Sequence, residues 1–219
     1  ATINNLKLRY EHVGYSGQPL VVVCHALTGN HLTYGTDEKH GWWREIIDGG
    51  YIPRHDYQFL TFNVIGSPFG SSSKLNDPNF PQHLTLRDIV KAIEKGIKAL
   101  GFEKINILIG ASLDGMQAME LLYNNQFQID KAIILATTGK TSSYSRAFNE
   151  IARQAIHIGG KEGLSIARQL GFLTYRSSKS YDQRFTPDEV VSYQQHQGDK
   201  FKEYFDLNCY LTLLDVLDS

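Results

Sequence analysis

In the first 140 positions, segments with the apolar pattern of strands alternate with segments that have the apolar spacing of helices. Apolar runs rich in β-branched residues predict buried strands at 20–24 and 105–109, and further strands are predicted at 57–62 and 132–136. A weaker alternation at 6–13 predicts an edge strand. Between the runs, helical spacing predicts helices at 86–100 and 116–124. This order of strand, helix and strand predicts a mainly parallel sheet with helices on both faces.

After position 144 the pattern changes to helical spacing alone. It predicts helices at 146–157, 161–170, 187–195 and 200–218, with no strand between them. We interpret 1–144 as the sheet-containing core and 145–219 as a helical lid over the carboxyl edge of the sheet. Between strand and helix, the stretch 63–81 is long for a loop in a compact domain, which predicts a functional or mobile segment.

One strand-to-helix turn carries the candidate chemistry. It reads Gly110-x-Ser112-x-x-Gly115, one residue longer than the usual G-x-S-x-G. A serine between small residues at such a turn can sit on a sharp elbow, where its hydroxyl acts as a nucleophile beside the first amides of the helix. The alternative is that glycine and serine simply form the turn.

A second candidate element is the polar loop 25–30, which follows the strand 20–24. Ligands bind at the carboxyl ends of strands in open α/β sheets, so a backbone amide near Leu27 is a candidate oxyanion donor. The alternative is a loop that only caps the strand. We interpret His25 as a structural histidine that holds this loop rather than as a catalytic base.

Composition narrows the possible partners. The 219 residues are 42% hydrophobic and carry a formal net charge of −1. The chain therefore lacks the excess of positive charge that would attract nucleic acid or an anionic membrane. No apolar run reaches the length of a membrane span, and no signal-peptide pattern opens the chain, which begins at Ala1. Cys24 and Cys209 lack metal-ligand spacing and favour a reducing cytoplasm, with no metal expected.

Several segments together resemble the homoserine O-acetyltransferase family of the α/β-hydrolase fold. The resemblance covers nearly the whole chain and rests on 25–29, 63–66, 110–118, 147–156, 173–177 and 204–211. It implies cytoplasmic methionine biosynthesis, acetyl-CoA as donor and co-substrate, L-homoserine as acceptor, no tightly bound cofactor, and a homodimer formed through the helical lid.

The same resemblance implies roles for particular residues. The nucleophile corresponds to Ser112, and the oxyanion donors correspond to the backbone amides of Leu27 and Leu113. Thr28, Arg168 and Tyr175 match positions that contact the amino-acid substrate in the family. A guanidinium suits that role because it binds a carboxylate through two parallel hydrogen bonds.

The elbow departs from the family at two positions. The family reads Gly-Gly-Ser-Met-Gly-Gly, whereas this chain has Ala111 before the serine and Asp114 two residues after it. An acid in the first turn complements the helix dipole by ~0.3–1 kcal/mol. A full negative charge near a developing oxyanion would instead cost roughly 2–3 kcal/mol, so we expect Asp114→Gly to raise the acylation rate.

The second departure concerns the triad acid and histidine, which follow the last sheet strands in this fold. Those strands are missing before Ser219, so the sequence resembles the N-terminal two-thirds of the family's enzymes and is expected to lack the general base. His157 and His196 lie on predicted lid helices, and neither is assigned to the triad.

The sequence leaves three functions open. The first is acyl transfer, the second is ester hydrolysis by a serine hydrolase of the same fold, and the third is a catalytically impaired relative that retains only binding or dimerisation. The sequence does not choose between acetyl and succinyl donors, or between homoserine and serine as acceptor.

Overall fold

The computed structural model describes residues 3–219, which divide into two compact units. The sheet unit contains the residues up to Lys140 together with Asp215–Leu217 and Ser219. The helical unit contains Thr141–Leu214 and Asp218. None of the described helices has both the length and the apolarity needed to cross a membrane.

The described part of the sheet unit contains one five-stranded sheet. Its strands are β1 (Tyr10–Val13), β2 (Leu20–Val23), β3 (Gln58–Phe62), β4 (Lys104–Ala111) and β5 (Gln128–Leu135). They lie in the order β1-β3-β2-β4-β5, with β1 antiparallel to β3 and all other neighbours parallel. The mainly parallel sheet predicted from the sequence is confirmed.

The two outer strands differ in length from the prediction. The strand predicted at 6–13 begins only at Tyr10, because the preceding backbone pairs with a loop: the amides of Lys7 and Arg9 donate to Ser72 Oγ and Ser71 Oγ, at 2.9 and 3.0 Å. At the other edge, β5 begins four residues before the predicted run, at Gln128. Its side chains are mostly exposed, so burial did not impose an apolar pattern on them.

The centre of the sheet provides the core of this unit. β2 and β3 are buried at every position. The sequence of β2 is accordingly apolar throughout, whereas β3 also buries Gln58 and Thr61, whose side chains are hydrogen-bonded. A cluster of fully buried side chains packs there, each contributing about 1.5–3 kcal/mol relative to exposure; its members include Val21, Val23, Phe59 and Ile109. This core fixes where β2 and β4 end, and therefore where the loops after them begin.

Helices α1 (Arg44–Asp48), α2 (Leu86–Ala99) and α3 (Leu113–Asn124) connect the strands. Thr85 and Asp88 form a reciprocal capping box at the start of α2, in which each side chain binds the other residue's amide. Asn125, at φ 50°, ends α3 in the left-handed conformation. The structure confirms α2 and α3 at nearly the predicted bounds.

The described part of the helical unit contains α4 (Ser143–Gly159), α5 (Lys161–Thr174), α6 (Ser178–Arg184), α7 (Pro187–Tyr204) and α8 (Leu207–Leu217), of which α8 ends in the sheet unit. The sequence did not predict α6. The helix break that the sequence predicted between 195 and 200 is also wrong, because α7 continues through Gly198. A Cβ on Gly198 would overlap Ser165 Oγ of α5, so glycine is required here for close helix packing. The break comes after Phe205, where Asp206 Oδ1 accepts a hydrogen bond from the Cys209 amide at 2.9 Å.

Candidate active site

Ser112 occupies a strained turn between β4 and α3. Its φ of 60° and ψ of −126° belong to a region that side chains rarely adopt. Its backbone is held on both sides, because its amide donates to Leu135 O at 3.1 Å and its carbonyl accepts from Thr137 Oγ1 at 2.6 Å. The side chain is exposed. This is the geometry of a nucleophile elbow: a fixed, strained backbone that presents a hydroxyl.

Two glycines permit the turn. A Cβ on Gly110 would overlap the carbonyl oxygen of Asp114, and a Cβ on Gly115 would lie 2.6 Å from Thr137 Cγ2. Both side-chain positions are therefore already occupied by neighbouring atoms. The extra residue in the motif is accommodated in the first turn of α3, so Gly115 contacts the segment after β5.

Replacing Gly115 with alanine is expected to lower the free energy of unfolding by about 1–3 kcal/mol, because the added methyl group must displace Thr137. Urea denaturation of the purified protein measures this change. Gly139→Ala is the matched control, since a Cβ on Gly139 meets nothing within 4 Å. Equal stability of the two variants would contradict the close packing proposed for the elbow.

Two backbone amides near the elbow suit an oxyanion. Leu113 is the first residue of α3, so its N–H has no partner within the helix. Leu27 lies in the loop after β2, where the Gly29 amide closes a turn onto Ala26 O at 2.8 Å. Among residues 3–219, neither the Leu27 nor the Leu113 amide is hydrogen-bonded to another protein group. Thr28 is half-buried in the same loop.

His25 holds this loop through hydrogen bonds of its side chain. The fully buried ring accepts a hydrogen bond from the Val64 amide at Nε2, 2.9 Å away, and its Nδ1 lies 2.9 Å from Ala26 O. Since Nε2 accepts, Nδ1 carries the proton and donates to the carbonyl. Burial lowers the pKa of His25 to about 4, so the ring is neutral. The predicted structural role agrees with this geometry.

His25→Ala is expected to reduce the free energy of unfolding by about 2–3 kcal/mol, because the buried Val64 N–H loses its acceptor. His25→Gln, which can present a carbonyl oxygen near the former Nε2, should lose less. His55→Ala, at an exposed position, is the control. Thermal or urea unfolding decides the matter, and an alanine variant as stable as the control would exclude the anchoring role.

Gln117 is a buried residue of the site that sequence reasoning missed. It lies fully buried on α3, with Nε2 donating to His25 O at 3.4 Å. Its Oε1 has no hydrogen-bond partner within residues 3–219. The helix that follows Ser112 is thus connected to the loop that contains Leu27. The available signal was a polar residue at the centre of an apolar helix face, between Leu113 and Leu121.

Asp114 differs from its sequence-based interpretation. The residue is only 5% exposed, and its Oδ1 has no hydrogen-bond partner among the described residues. Burial raises the pKa of Asp114 to about 7, although the amides of Ala111 and Asp114 itself pull it downward. The expectation of a permanent negative charge beside the oxyanion is therefore corrected: the group is largely neutral below pH 7.

Burial, reinforced by the charge of Asp114, also raises the pKa of the Cys24 thiol.

The remaining predicted site residues lie in the helical unit. Arg168 on α5 is half-buried, and its Nη1 lies 3.4 Å from the hydroxyl of Tyr175, the residue that follows α5. Its guanidinium carbon lies 4.3 Å from the ring centroid of Phe172 and 4.9 Å from that of Phe201. The structure thus brings Arg168 and Tyr175 together, and it adds two aromatic rings that the sequence analysis did not assign.

The two histidines after Ser112 are exposed on other helices, His157 on α4 and His196 on α7. No histidine among residues 3–219 is hydrogen-bonded to Ser112 Oγ. In the same residues, no group of three or more potential ligands could hold a metal ion.

Residues 19–158 match the family with the α/β-hydrolase fold, the class of protein that the strand order and the elbow define. A homoserine O-acetyltransferase of Methanobrevibacter ruminantium is 34% identical over 99% of this chain and 53% of that protein. A homoserine O-succinyltransferase of Methylibium petroleiphilum is 34% identical over 100% of this chain and 68% of that protein. The chain belongs to the homoserine O-acyltransferase family.

A comparison with solved structures agrees with this family assignment. The crystal structure of homoserine O-acetyltransferase from Staphylococcus aureus is 86% identical, with a TM-score of 0.96 over 99% of this chain and 66% of that one. The chain therefore spans about half to two thirds of the length of these relatives.

Proposed function

We propose that the full-length protein transfers an acetyl group from acetyl-CoA to the hydroxyl of L-homoserine through an ester on Ser112. The observation that carries the proposal is the exposed serine on its strained turn, at φ 60°, beside the unpaired amide of Leu113. Membership of the homoserine O-acyltransferase family supplies the substrate class.

The proposed reaction has two steps. Ser112 Oγ attacks the thioester carbonyl, an Oγ–C bond forms, and the C–S bond breaks as CoA leaves with a proton. The homoserine hydroxyl then attacks the ester carbonyl and regenerates the serine. The amides of Leu27 and Leu113 stabilise the oxyanion in both steps, and one such donor is typically worth about 3 kcal/mol. The histidine base that this chemistry requires is not assigned to His157 or His196.

Arg168 and Tyr175 are assigned to the acceptor's carboxylate, and Thr28 to the acceptor as well. The guanidinium and the phenol lie within 3.4 Å of each other, so both can donate to one carboxylate group. Transfer exceeds hydrolysis only if water is excluded and the acceptor is positioned, so the lid role of the helical unit stays a prediction. No bound cofactor is needed, because acyl-CoA enters as a co-substrate.

Mass spectrometry of the full-length protein after brief exposure to acetyl-CoA or succinyl-CoA tests the proposal. We expect one acetyl group on Ser112, lost rapidly only when L-homoserine is added, with O-acetylhomoserine as product. Rapid loss without homoserine would identify an esterase. Absence of the covalent adduct with either donor would leave only the non-catalytic alternative.

The proposal includes a homodimer in the cytoplasm and a role in methionine biosynthesis. Exposed apolar side chains recur at seven-residue spacing on α4 and α5, at Ile151 and Ile158 and at Ile166 and Leu173, and they support association through the helical unit. Cys24 and Cys209 are buried thiols that are not joined in a disulfide, which suits a reducing compartment. Light scattering of wild type and Ile158→Lys tests the dimer, and an unchanged mass would place the interface elsewhere.

A further inference from the structure

We propose that Tyr210 is a third ligand for the acceptor's carboxylate and completes a cluster with Arg168 and Tyr175, named here the carboxylate cluster. The inference deepens the proposed function and rests on it. All three residues belong to the helical unit.

Two aromatic rings hold the guanidinium of Arg168. Phe172 lies on the same helix, one turn further on, and Phe201 comes from α7. Because a cation is attracted to the face of each ring, the long side chain is restrained before any ligand arrives. A restrained guanidinium loses less conformational entropy on binding an anion than a free one does.

The hydrogen bond between Arg168 and Tyr175 leaves a donor available. Arg168 Nη1 can only donate, so the Tyr175 oxygen accepts across the 3.4 Å that separates them. The phenolic hydrogen of Tyr175 is then free to donate to a third group. An anion beside the guanidinium is the group that this arrangement favours.

Tyr210 is bound to the same aromatic platform. Its ring packs edge-on against Phe201, with centroids 5.7 Å apart, and edge-on against Phe205, with centroids 6.0 Å apart. Phe201 therefore contacts both Arg168 and Tyr210. Tyr210 is 6% exposed, and burial raises the pKa of its phenol, with Tyr175 and Arg168 close enough to influence it in opposite directions. The phenol is neutral and remains a donor.

The hydroxyl of Tyr210 has no protein partner. In residues 3–219 no hydrogen bond joins this oxygen to another group, and it is not one of the fully buried unpaired atoms, so a ligand can reach it. A carboxylate held by Arg168 would give this hydroxyl an acceptor. With one guanidinium and two phenols, the cluster carries a single positive charge, which suits one carboxylate better than a diphosphate.

Steady-state kinetics of the full-length protein test the inference with Tyr210→Phe, which keeps the ring and removes only the hydroxyl. Loss of one hydrogen bond to a charged group should raise the KM for L-homoserine about tenfold or more, while the rate of Ser112 acetylation by acetyl-CoA stays unchanged. With L-homoserine methyl ester, whose carboxylate is masked, wild type and variant should have similar KM values. Tyr144→Phe, which removes an exposed hydroxyl from α4, should match wild type throughout.

An unchanged KM for L-homoserine in Tyr210→Phe would overturn the inference, as would an equal rise for the acid and its methyl ester. Calorimetric titration with L-homoserine separates this result from failure of the proposed function. If wild type binds the amino acid but transfers no acyl group, the proposed function fails while tenfold weaker binding by Tyr210→Phe still supports the cluster.

Discussion

Replacing Ser112 with alanine is expected to abolish covalent acylation of the full-length protein and to reduce acyl transfer by at least about a thousandfold. In serine enzymes of this type, removal of the nucleophile leaves only the contribution of the oxyanion site and of substrate binding. Mass spectrometry after exposure to acetyl-CoA gives the first quantity, and release of CoA thiol gives the second. Stoichiometric acylation of Ser112→Ala would assign the nucleophile to another residue.

The same position should show opposite effects on activity and stability. Ser112 adopts φ 60° and ψ −126°, where a residue other than glycine is strained by about 1–3 kcal/mol. Ser112→Gly should therefore lose acylation as completely as Ser112→Ala while unfolding at a higher urea concentration. Ser16→Ala, in an exposed turn, controls for the loss of a hydroxyl. A glycine variant less stable than wild type would show that the turn is not strained.

Replacing Asp114 with asparagine is expected to change how stability depends on pH. Burial raises the pKa of Asp114 in the folded protein to about 7, against an ordinary value of 3.8. Between these values the folded protein retains a proton that the unfolded chain releases, so this group lowers the free energy of unfolding as pH rises from about 4 to about 7. The full loss is on the order of 4 kcal/mol. In Asp114→Asn this contribution disappears.

The buried histidines change the free energy of unfolding with pH in the opposite direction. Burial lowers the pKa values of His25 and His31 to about 4 from 6.5. The unfolded chain therefore binds protons that the folded protein does not, and stability is lost as pH falls from about 6.5 to about 4. In wild type these contributions partly cancel that of Asp114.

Urea unfolding at several pH values between 4.5 and 8 separates the two contributions. Asp114→Asn should gain stability relative to wild type as pH rises, and the gain should level off above about pH 7. Asp182→Asn, at an exposed position, is the control substitution. A difference for Asp114→Asn that is constant over this range would mean that the carboxyl is not protonated in the folded protein.

The same carboxyl should affect acylation only when it is charged. A unit charge a few ångströms from an oxyanion costs roughly 2–3 kcal/mol at an effective dielectric constant near 20, which is about 30-fold to 150-fold in rate. Asp114→Gly in the full-length protein should thus acylate faster than wild type above pH 7, with a smaller difference at pH 6. Equal acylation rates at pH 8 would exclude this electrostatic effect.

Sequence reasoning succeeded where a local pattern has one structural solution. The fully buried strand β2 has an unbroken apolar sequence, and α2 has its capping box at Thr85 and Asp88. It failed where neighbours distant in sequence decide the outcome. A helix break was predicted between 195 and 200, but Gly198 in that interval instead lets α7 pack against Ser165, because it has no side chain. At 6–9, the strand pattern was overridden by hydrogen bonds to Ser71 and Ser72.

The sequence by itself determined the alternation of strands and helices, the position of Ser112 between β4 and α3, and the family, because these depend on residue order over short spans. Only the tertiary structure decided the protonation state of Asp114 and the tautomer of His25. It also decided the contact of Gln117 with the loop after β2, and the packing of both Arg168 and Tyr210 against the same aromatic ring. The physical reason is that burial and hydrogen-bond partners come from residues far apart in the chain. His25 and Val64, for example, are 39 positions apart.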